Sequence, residues 1–383
     1  MHSFKIILKK TDPMYKKLLF SFFVVCSTIA SAQTTIIDSI ISGGIYRNYR
    51  IYIPAAYTGA SARPLIFDLH GYTSSALYEQ AYSNFMPIAD TANLIMVYPN
   101  GTLSGGQPYW NAGFGGTVND VAFISDLIDT LFTQYNIDHD MVFSCGMSNG
   151  GYMSHTLACE LNNRIAAIAS VTGSMSTLQQ LTCVPNRPVP VMQISGDADG
   201  TVVYGGGSGS MGIDALVTYW VTNNNCNTSA TFSTLPNISL IDGCTAEHYV
   251  YNSGDLGSTV EKYKIIGGGH TWPGSPYIIG VTNKDFSASE KIWLFFRKYK
   301  LNQFVGLNES ENVNSINIFP NPATSAVSIE GENISLVMIY DVNGKLIAQS
   351  TQKQIDISTL SKGVYSVVIV SEKNRSVKKL LKM

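Results

Sequence analysis

Between about residue 47 and residue 300 the chain alternates short apolar runs with longer runs whose apolar residues return every three or four positions. Residues 47–54 (RNYRIYIP), 64–69 (PLIFDL), 95–98, 141–145, 190–194 and 263–266 are short apolar runs rich in β-branched and aromatic residues, which predicts strands. Residues 121–135 (VAFISDLIDTLFTQY) have helical spacing with Asp120 placed to cap them, and 151–161, 213–222 and 287–300 predict further helices. Strand and helix in alternation build a mostly parallel sheet with helices on both faces, an α/β fold.

The pattern changes after residue 302. GLNESENVNS lies within a polar stretch without periodicity, which predicts a linker over 303–315. Beyond it, AVSIEG, SLVMIYD, KLIAQ, QIDIS and GVYSVVIV are broken by Asn343-Gly344 and Lys362-Gly363, so residues 316–383 are expected to form a small β-sandwich. Charge divides the chain at the same place: residues 33–302 hold 12 basic against 19 acidic side chains, residues 316–383 hold 8 against 5. At the other end, Lys16 and Lys17 precede LLFSFFVV, and Ala30 and Ala32 suit cleavage before Gln33. Residues 1–32 therefore read as a signal peptide, whose apolar run is too short for a permanent membrane span.

Composition adds few constraints. With 383 residues, 45% hydrophobic and 14% charged, the chain has material for one large folded domain, here 33–302, and a small one. A net charge of −2 gives no reason to expect a nucleic-acid partner. Export permits disulfides, and five cysteines remain after Cys26 is removed. Cys145, in an apolar strand, is the natural free thiol, and Cys159–Cys183 and Cys226–Cys244 each close a short loop. No Cys or His spacing suggests a metal, and no cofactor is expected.

The strongest chemical signal is Gly146-Met147-Ser148-Asn149-Gly150, a G-x-S-x-G between the strand MVFSC and the helical run YMSHTLACEL. A serine hydroxyl needs a base held by a carboxylate, both downstream in this type of site. Of six histidines, His2 is removed, His139 lies in a polar turn, His155 follows Ser148 on its helix, and His248 has no positional logic. His70 lies upstream beside Gly71, where it organises a loop. His270 remains, in the glycine-rich GGGHTWPG after the strand YKII. Asp197 and Asp199 both follow the strand at 190–194; Asp199 is preferred, because Thr201-Val202-Val203-Tyr204 holds the loop beyond it, and Asp197 then caps a turn. The oxyanion donors are expected to be the backbone N–H groups of Asn149 and of Tyr72 in DLHGYT. Trp110 and Trp272 flank the expected cleft and either stack an aromatic or sugar group or belong to the core.

With these residues assembled, residues 39–299 resemble the polyhydroxybutyrate depolymerase and feruloyl esterase family, related to carbohydrate esterase family 1. The resemblance rests on DLHGYTSSA, Trp110-Asn111-Ala112-Gly113, NDVAFISDLID, GMSNGGYMSHTLACEL, CVPNRPVPVMQISGDAD, GGGHTWPG and EKIWLFF. It implies an α/β-hydrolase with Ser148, Asp199 and His270 as its triad. Tyr72 stands where many depolymerases carry cysteine, and Ser195 where a histidine is frequent. SINIFPNPAT, IYDVNGKLI and LSKGVYSVVIV resemble the sorting domain of type IX secretion, which implies that machinery as a partner and an extracellular or cell-surface location. The expected function is hydrolysis of feruloyl or acetyl esters on plant polysaccharides, with an ester-bearing polymer or oligomer as partner. A polyester depolymerase and a non-catalytic polysaccharide-binding protein on a hydrolase scaffold are the alternatives.

Overall fold

The computed structural model describes residues 33–305, 317–331, 334–341, 346–371 and 375–383. The expected signal peptide lies outside the described residues, as do most of the expected linker and the Asn343-Gly344 turn. The first linker residues belong instead to a short helix, Asn302–Val305.

In chain order the larger unit contains β1 (Thr34–Ser42), β2 (Ile45–Ile53), β3 (Arg63–Leu69), α1 (Ala76–Ser83), α2 (Met86–Ala92) and β4 (Ile95–Pro99). A hairpin of β5 (Thr102–Ser104) and β6 (Gln107–Tyr109) leads to α3 (Asp120–Gln134), β7 (Ile137–Met147), α4 (Asn149–Glu160), β8 (Ala167–Val171), α5 (Thr177–Thr182) and β9 (Val191–Gly196). Then follow α6 (Ile213–Asn223), β10 (Thr231–Thr234), β11 (Thr245–Tyr251), β12 (Val260–Ile266) and α7 (Ala288–Phe296). Ten strands form one sheet in the order β1-β2-β4-β3-β7-β8-β9-β12-β11-β10. The neighbours from β4 to β12 pair in parallel and the two strands at each edge pair antiparallel. This is the mostly parallel sheet expected from the alternation.

Side-chain alternation divides the core into two layers. Leu65, Phe67, Ile95, Val97, Val142, Ile168 and Val191 face α3, α4 and α6, whereas Ile66, Met96, Phe143, Ala167, Ala169, Met192 and Ile194 face α1, α2 and α7. Because the central strands are buried on both faces they read as continuous apolar runs, which is why they were legible. β8 (AIASV) was not, since alanine and serine have little strand preference; its fit between β7 and β9 decides its state. At the start of α3 the cap is Asn119, whose Oδ1 accepts from Ala122 N at 2.8 Å, and not Asp120. Asp120 turns inward to Arg47, 2.6 Å away, because two buried charges need each other more than a helix end needs a second cap.

Cys159 and Cys183 form a disulfide that joins the last turn of α4 to the end of α5, and Cys145 is a buried free thiol. The expected Cys226–Cys244 bridge is absent. Cys226 lies beside Ser258, and its neighbour Asn227 bonds Asn252, just past the end of β11, while Cys244 lies beside Gly267 at the other end. The seven residues of β11 separate them by roughly 20 Å, whereas a disulfide needs Cα atoms within about 7 Å. Both thiols are buried and unpaired.

Residues 317–383 build β13 (Asn317–Phe319), β14 (Ala326–Glu330), β15 (Ile334–Tyr340), β16 (Leu346–Ser350), β17 (Gln354–Asp356), β18 (Gly363–Ser371) and β19 (Arg375–Lys382). The sheets β13-β14-β17 and β16-β15-β18-β19 share one core, with Val327, Ile329 and Ile355 from the first against Val337, Ile339, Val367 and Ile369 from the second. The lysine-rich end is β19, with Leu380 in that core.

Behind β3 sits a fully buried polar group. Asp68 accepts from the Cys145 thiol, and it lies close enough to Glu79, on α1, for its charge to act on that carboxyl. Burial pushes Asp68 up to about 7 and Glu79 well above the usual carboxylate range. Tyr98 Oη and one oxygen of each acid have no hydrogen-bond partner among the described residues. A native pKa above the unfolded value means that the folded state binds the extra proton, so this contribution to stability is present at low pH and lost as pH rises through about 7. Denaturant midpoints at pH 5 and pH 8 should therefore differ more in the native chain than in Asp68→Asn, which keeps the neutral shape at both pH values. Equal pH dependence in the two proteins would refute this account.

Candidate active site

The carboxyl ends of β3, β7, β8 and β9 lie in line: Leu69 pairs Gly146, Gly146 pairs Ser170, and Ser170 pairs Gln193. Beyond this edge β7 turns at once into α4, and Ser148 is the residue on which it turns, with φ 52° and ψ −118°. A non-glycine residue in that region is strained and is held there by its surroundings. Ser148 N donates to Val171 O at 2.8 Å, and Ser148 O accepts from Tyr152 N at 3.0 Å. Gly150 lets α4 approach β3: a Cβ there would lie 1.8 Å from Leu69 O. The outcome is a half-buried serine on a fixed pedestal, facing the same edge as the next two loops.

His270 and Asp199 arrive from β12 and β9. His270 Nδ1 lies 2.7 Å from Asp199 Oδ2, and Asp199 Oδ1 accepts from Thr201 N and Val202 N at 2.8 and 2.9 Å. One oxygen is thus anchored by its own loop and the other is presented to the imidazole. Asp197 does something else: it accepts from Gly267 N at 2.7 Å and lies 3.5 Å from Lys264 Nζ, which fixes the start of the His270 loop. Gly196 permits this, since a Cβ there would lie 2.1 Å from Gly268 O. Ser148 Oγ makes no hydrogen bond among the described residues; in free enzymes of this type that contact often tightens only on substrate binding.

The other histidines are accounted for. His70 is buried, and burial lowers it to about 4, so it is neutral. Gly101 N donates to its Nε2, which puts the proton on Nδ1, 2.7 Å from Gly71 O. It ties the loops after β3 and β4 together. His155, likewise lowered to about 4 by burial, accepts from Trp220 Nε1 and donates to Gln193 Oε1 beneath α4. His139 stacks on Phe132, and His248 pairs with Glu261.

Two backbone N–H groups without a helix or strand partner lie near Ser148 in the chain or in space. Asn149 N opens α4 and Tyr72 N follows Gly71, whose own Cβ position is 3.5 Å from Ser148 Cβ. Neither N–H has an acceptor among the described residues. Asn149 is locked by its side chain: Oδ1 accepts from Trp110 N at 2.7 Å and Nδ2 donates to Trp110 O at 3.0 Å. Next to that clamp, Asn111 N donates to Asp120 Oδ2 at 2.7 Å, and Asp120 in turn holds Arg47. The Arg47 guanidinium lies 3.8 Å above the Phe123 ring.

Trp110 and Trp272 do not line a cleft. Both are fully buried, so neither offers a ring face to a ligand. Trp110 Nε1 donates to His70 O and Trp272 Nε1 to Ser289 Oγ, so the two indoles brace the loops that bear the site. On the Ser148 side, Tyr72 and Phe114 have rings open to solvent; Phe114 lies 5.3 Å from Tyr152, one turn after Ser148. The sequence carried one signal for Phe114, a lone aromatic in the glycine-rich AGFGG. Among the described residues no cluster of His, Cys, Asp and Glu is arranged to hold a metal.

This fold, a serine turn after a central parallel strand with the acid and histidine on later loops, is that of the α/β-hydrolases. Comparison with known proteins agrees. The chain is 27% identical over 288 residues to a candidate esterase, NocK, of Nocardia uniformis subsp. tsuyamanensis, covering 68% of this chain and 82% of that one. It is 26% identical over 236 residues to feruloyl esterase B of Piromyces equi, covering 58% and 42%, and 31% identical over 176 residues to a poly(3-hydroxybutyrate) depolymerase of Ralstonia pickettii, covering 41% and 35%. The match therefore spans less than half the length of the latter two. Among solved structures, acetyl xylan esterase from Aspergillus awamori superposes with a TM-score of 0.50 at 15% identity, over 68% of this chain and 99% of that one, a likeness of fold. The larger unit is an enzyme of the ester-hydrolase class. Residues 317–383 match the secretion system C-terminal sorting domain, which marks the protein for export by type IX secretion. Among the described residues no helix is long and apolar enough to cross a membrane.

Asp120→Asn would leave the Arg47 charge buried without its partner. That should cost about 3–5 kcal/mol of stability, read as a lowered urea midpoint, and the double change Arg47→Met/Asp120→Asn should recover part of it. An unchanged midpoint in Asp120→Asn would show that the pair does not carry the Trp110–Asn111 segment.

Proposed function

We propose that Ser148, His270 and Asp199 act as a catalytic triad in an acyl-enzyme mechanism, on feruloyl or acetyl esters of plant polysaccharides. The observation that carries the reading is the strained Ser148 turn at the same sheet edge as a histidine whose Nδ1 is held 2.7 Å from a doubly anchored carboxylate. Ser148 Oγ attacks the ester carbonyl as His270 Nε2 takes its proton, and Asp199 stabilises the imidazolium. The oxyanion of the tetrahedral adduct accepts from Asn149 N and Tyr72 N. Its collapse breaks the C–O bond, and His270 returns the proton to the leaving alcohol. Water, deprotonated by His270, then releases the acid from Ser148 by the same steps. The substrate class follows the names of the relatives, feruloyl esterase among them. An insoluble polyester is the second reading, favoured by the exposed Ile278 and Ile279 a few residues after His270 and by the depolymerase relative.

Ser148→Ala should lower turnover of p-nitrophenyl acetate by at least about 10⁴-fold and abolish labelling by a fluorophosphonate. Labelling of the native chain that Ser148→Ala retains would overturn the assignment, and no labelling of the native chain would favour a binding protein. Asp199→Asn should cost roughly 10³–10⁴ in kcat, and Asp197→Asn less than about tenfold; the reverse order would exchange their roles. Rates on methyl ferulate, acetylated xylan and emulsified polyhydroxybutyrate rank the substrate readings.

A further inference from the structure

The loop that leaves β6 is uncharged and braced along its length, yet it holds one ring in water. Asn111 closes it: Oδ1 accepts from Gly116 N at 3.0 Å, and Nδ2 donates to Gly116 O at 2.9 Å and to Val118 O at 2.7 Å. Gly113, at φ 76°, lets the loop press onto α5, since a Cβ there would lie 2.7 Å from Gln179 Cβ, and its carbonyl accepts from Ser176 Oγ. The Cys159–Cys183 disulfide in turn fastens α5 to α4. Phe114 follows Gly113 and is 41% exposed. A ring whose backbone is fixed on both sides has lost much of its freedom before any ligand arrives, which lowers the entropy cost of binding against it.

The ring rests on the helix that begins beside Ser148. Its centroid is 5.3 Å from that of Tyr152, whose N–H donates to Ser148 O at 3.0 Å. The Tyr152 side chain is buried, donates to Ser210 Oγ at 2.6 Å and lies within reach of the Asp199 charge. Phe114 is thus seated on a residue bonded to the serine turn and close to the acid loop. What it can receive follows from its surroundings. Residues 101–119 and 165–186 contain no charged side chain, so no ionic group is matched here. The polar groups nearby are engaged with one another: Asn111 and Ser176 with the loop, the Asn149 amide with Trp110, Tyr152 Oη with Ser210, and Gln179 Oε1 with Thr156. A sugar ring needs hydrogen bonds around its rim, whereas a flat aromatic group needs only the face of Phe114. An acetyl group brings a single methyl to that surface and gains little from it.

We propose that Phe114 is a specificity-determining residue, against which the aromatic ring of a feruloyl-type acyl group stacks while its ester carbonyl lies at Ser148. This rests on the ester-hydrolase reading of the site and selects between the two acyl groups which that reading allows. The test uses the full chain with Phe114→Ala and with Phe114→Tyr, at a position outside the core. Both kcat and KM are measured on methyl ferulate and on glycerol triacetate, an acetyl ester without a ring. The ratio of kcat/KM for ferulate to that for triacetate should fall about tenfold in Phe114→Ala, mainly through KM for ferulate, and Phe114→Tyr should hold it within about threefold of native. Equal losses on both esters, an unchanged ratio, or a Phe114→Tyr no better than Phe114→Ala would overturn the proposal. Binding separates the surface from the chemistry. In calorimetry Ser148→Ala should still bind methyl ferulate, about tenfold more weakly once Phe114→Ala is added. Equal binding by the two proteins sinks the stacking surface, whereas hydrolysis that survives Ser148→Ala sinks the triad alone.

Discussion

The close approach of β3 to the turn between β7 and α4 is the constraint on which the rest of the catalytic unit depends. Leu69 O occupies the space that any side chain at position 150 would need. This contact brings the loop after β3 against the serine turn, and it leaves Ser148 in a backbone conformation that its neighbours must enforce. Its enforcement is visible in the bonds from Val171 and Tyr152 and in the parallel pairing of β7 on both sides. A looser junction would let the serine relax and would separate it from the loop after β3.

Around that junction each loop is fixed by a polar group that does no chemistry in the proposed mechanism. Asp197 holds the start of the His270 loop, neutral His70 joins the loops after β3 and β4, and the Asn149 side chain is clasped by Trp110. The buried Arg47–Asp120 pair stands behind that clasp. Charges that would be costly alone in the interior are thus spent on positioning segments whose backbone must stay rigid. The two indoles serve the same end, which explains why tryptophans so near the site are closed to ligands.

The loops that carry Ile238, Leu240 and Ile278 show the opposite arrangement, with Asp242 and Asp285 bonded to backbone N–H groups and the aliphatic side chains left in water. The match of residues 317–383 to a sorting domain sets the sequence's address apart from its chemistry, which lies in the larger unit.

Much of this protein was legible in the residues alone. The central strands announce themselves because burial on both faces demands unbroken apolar runs, and the serine turn because glycines must flank it. Local sequence also singled out His270 by elimination and Asp199 through the loop that follows it, two side chains that lie 2.7 Å apart. What it could not decide were contacts between distant segments. The pairing of β8, the inward turn of Asp120 and the burial of Trp110 and Trp272 all depend on neighbours far away in the chain. Cys226 and Cys244 look like partners because few residues separate them, yet β11 holds them at opposite ends of a hairpin. Composition and periodicity report what a segment must bury, and only the packed structure reports against what.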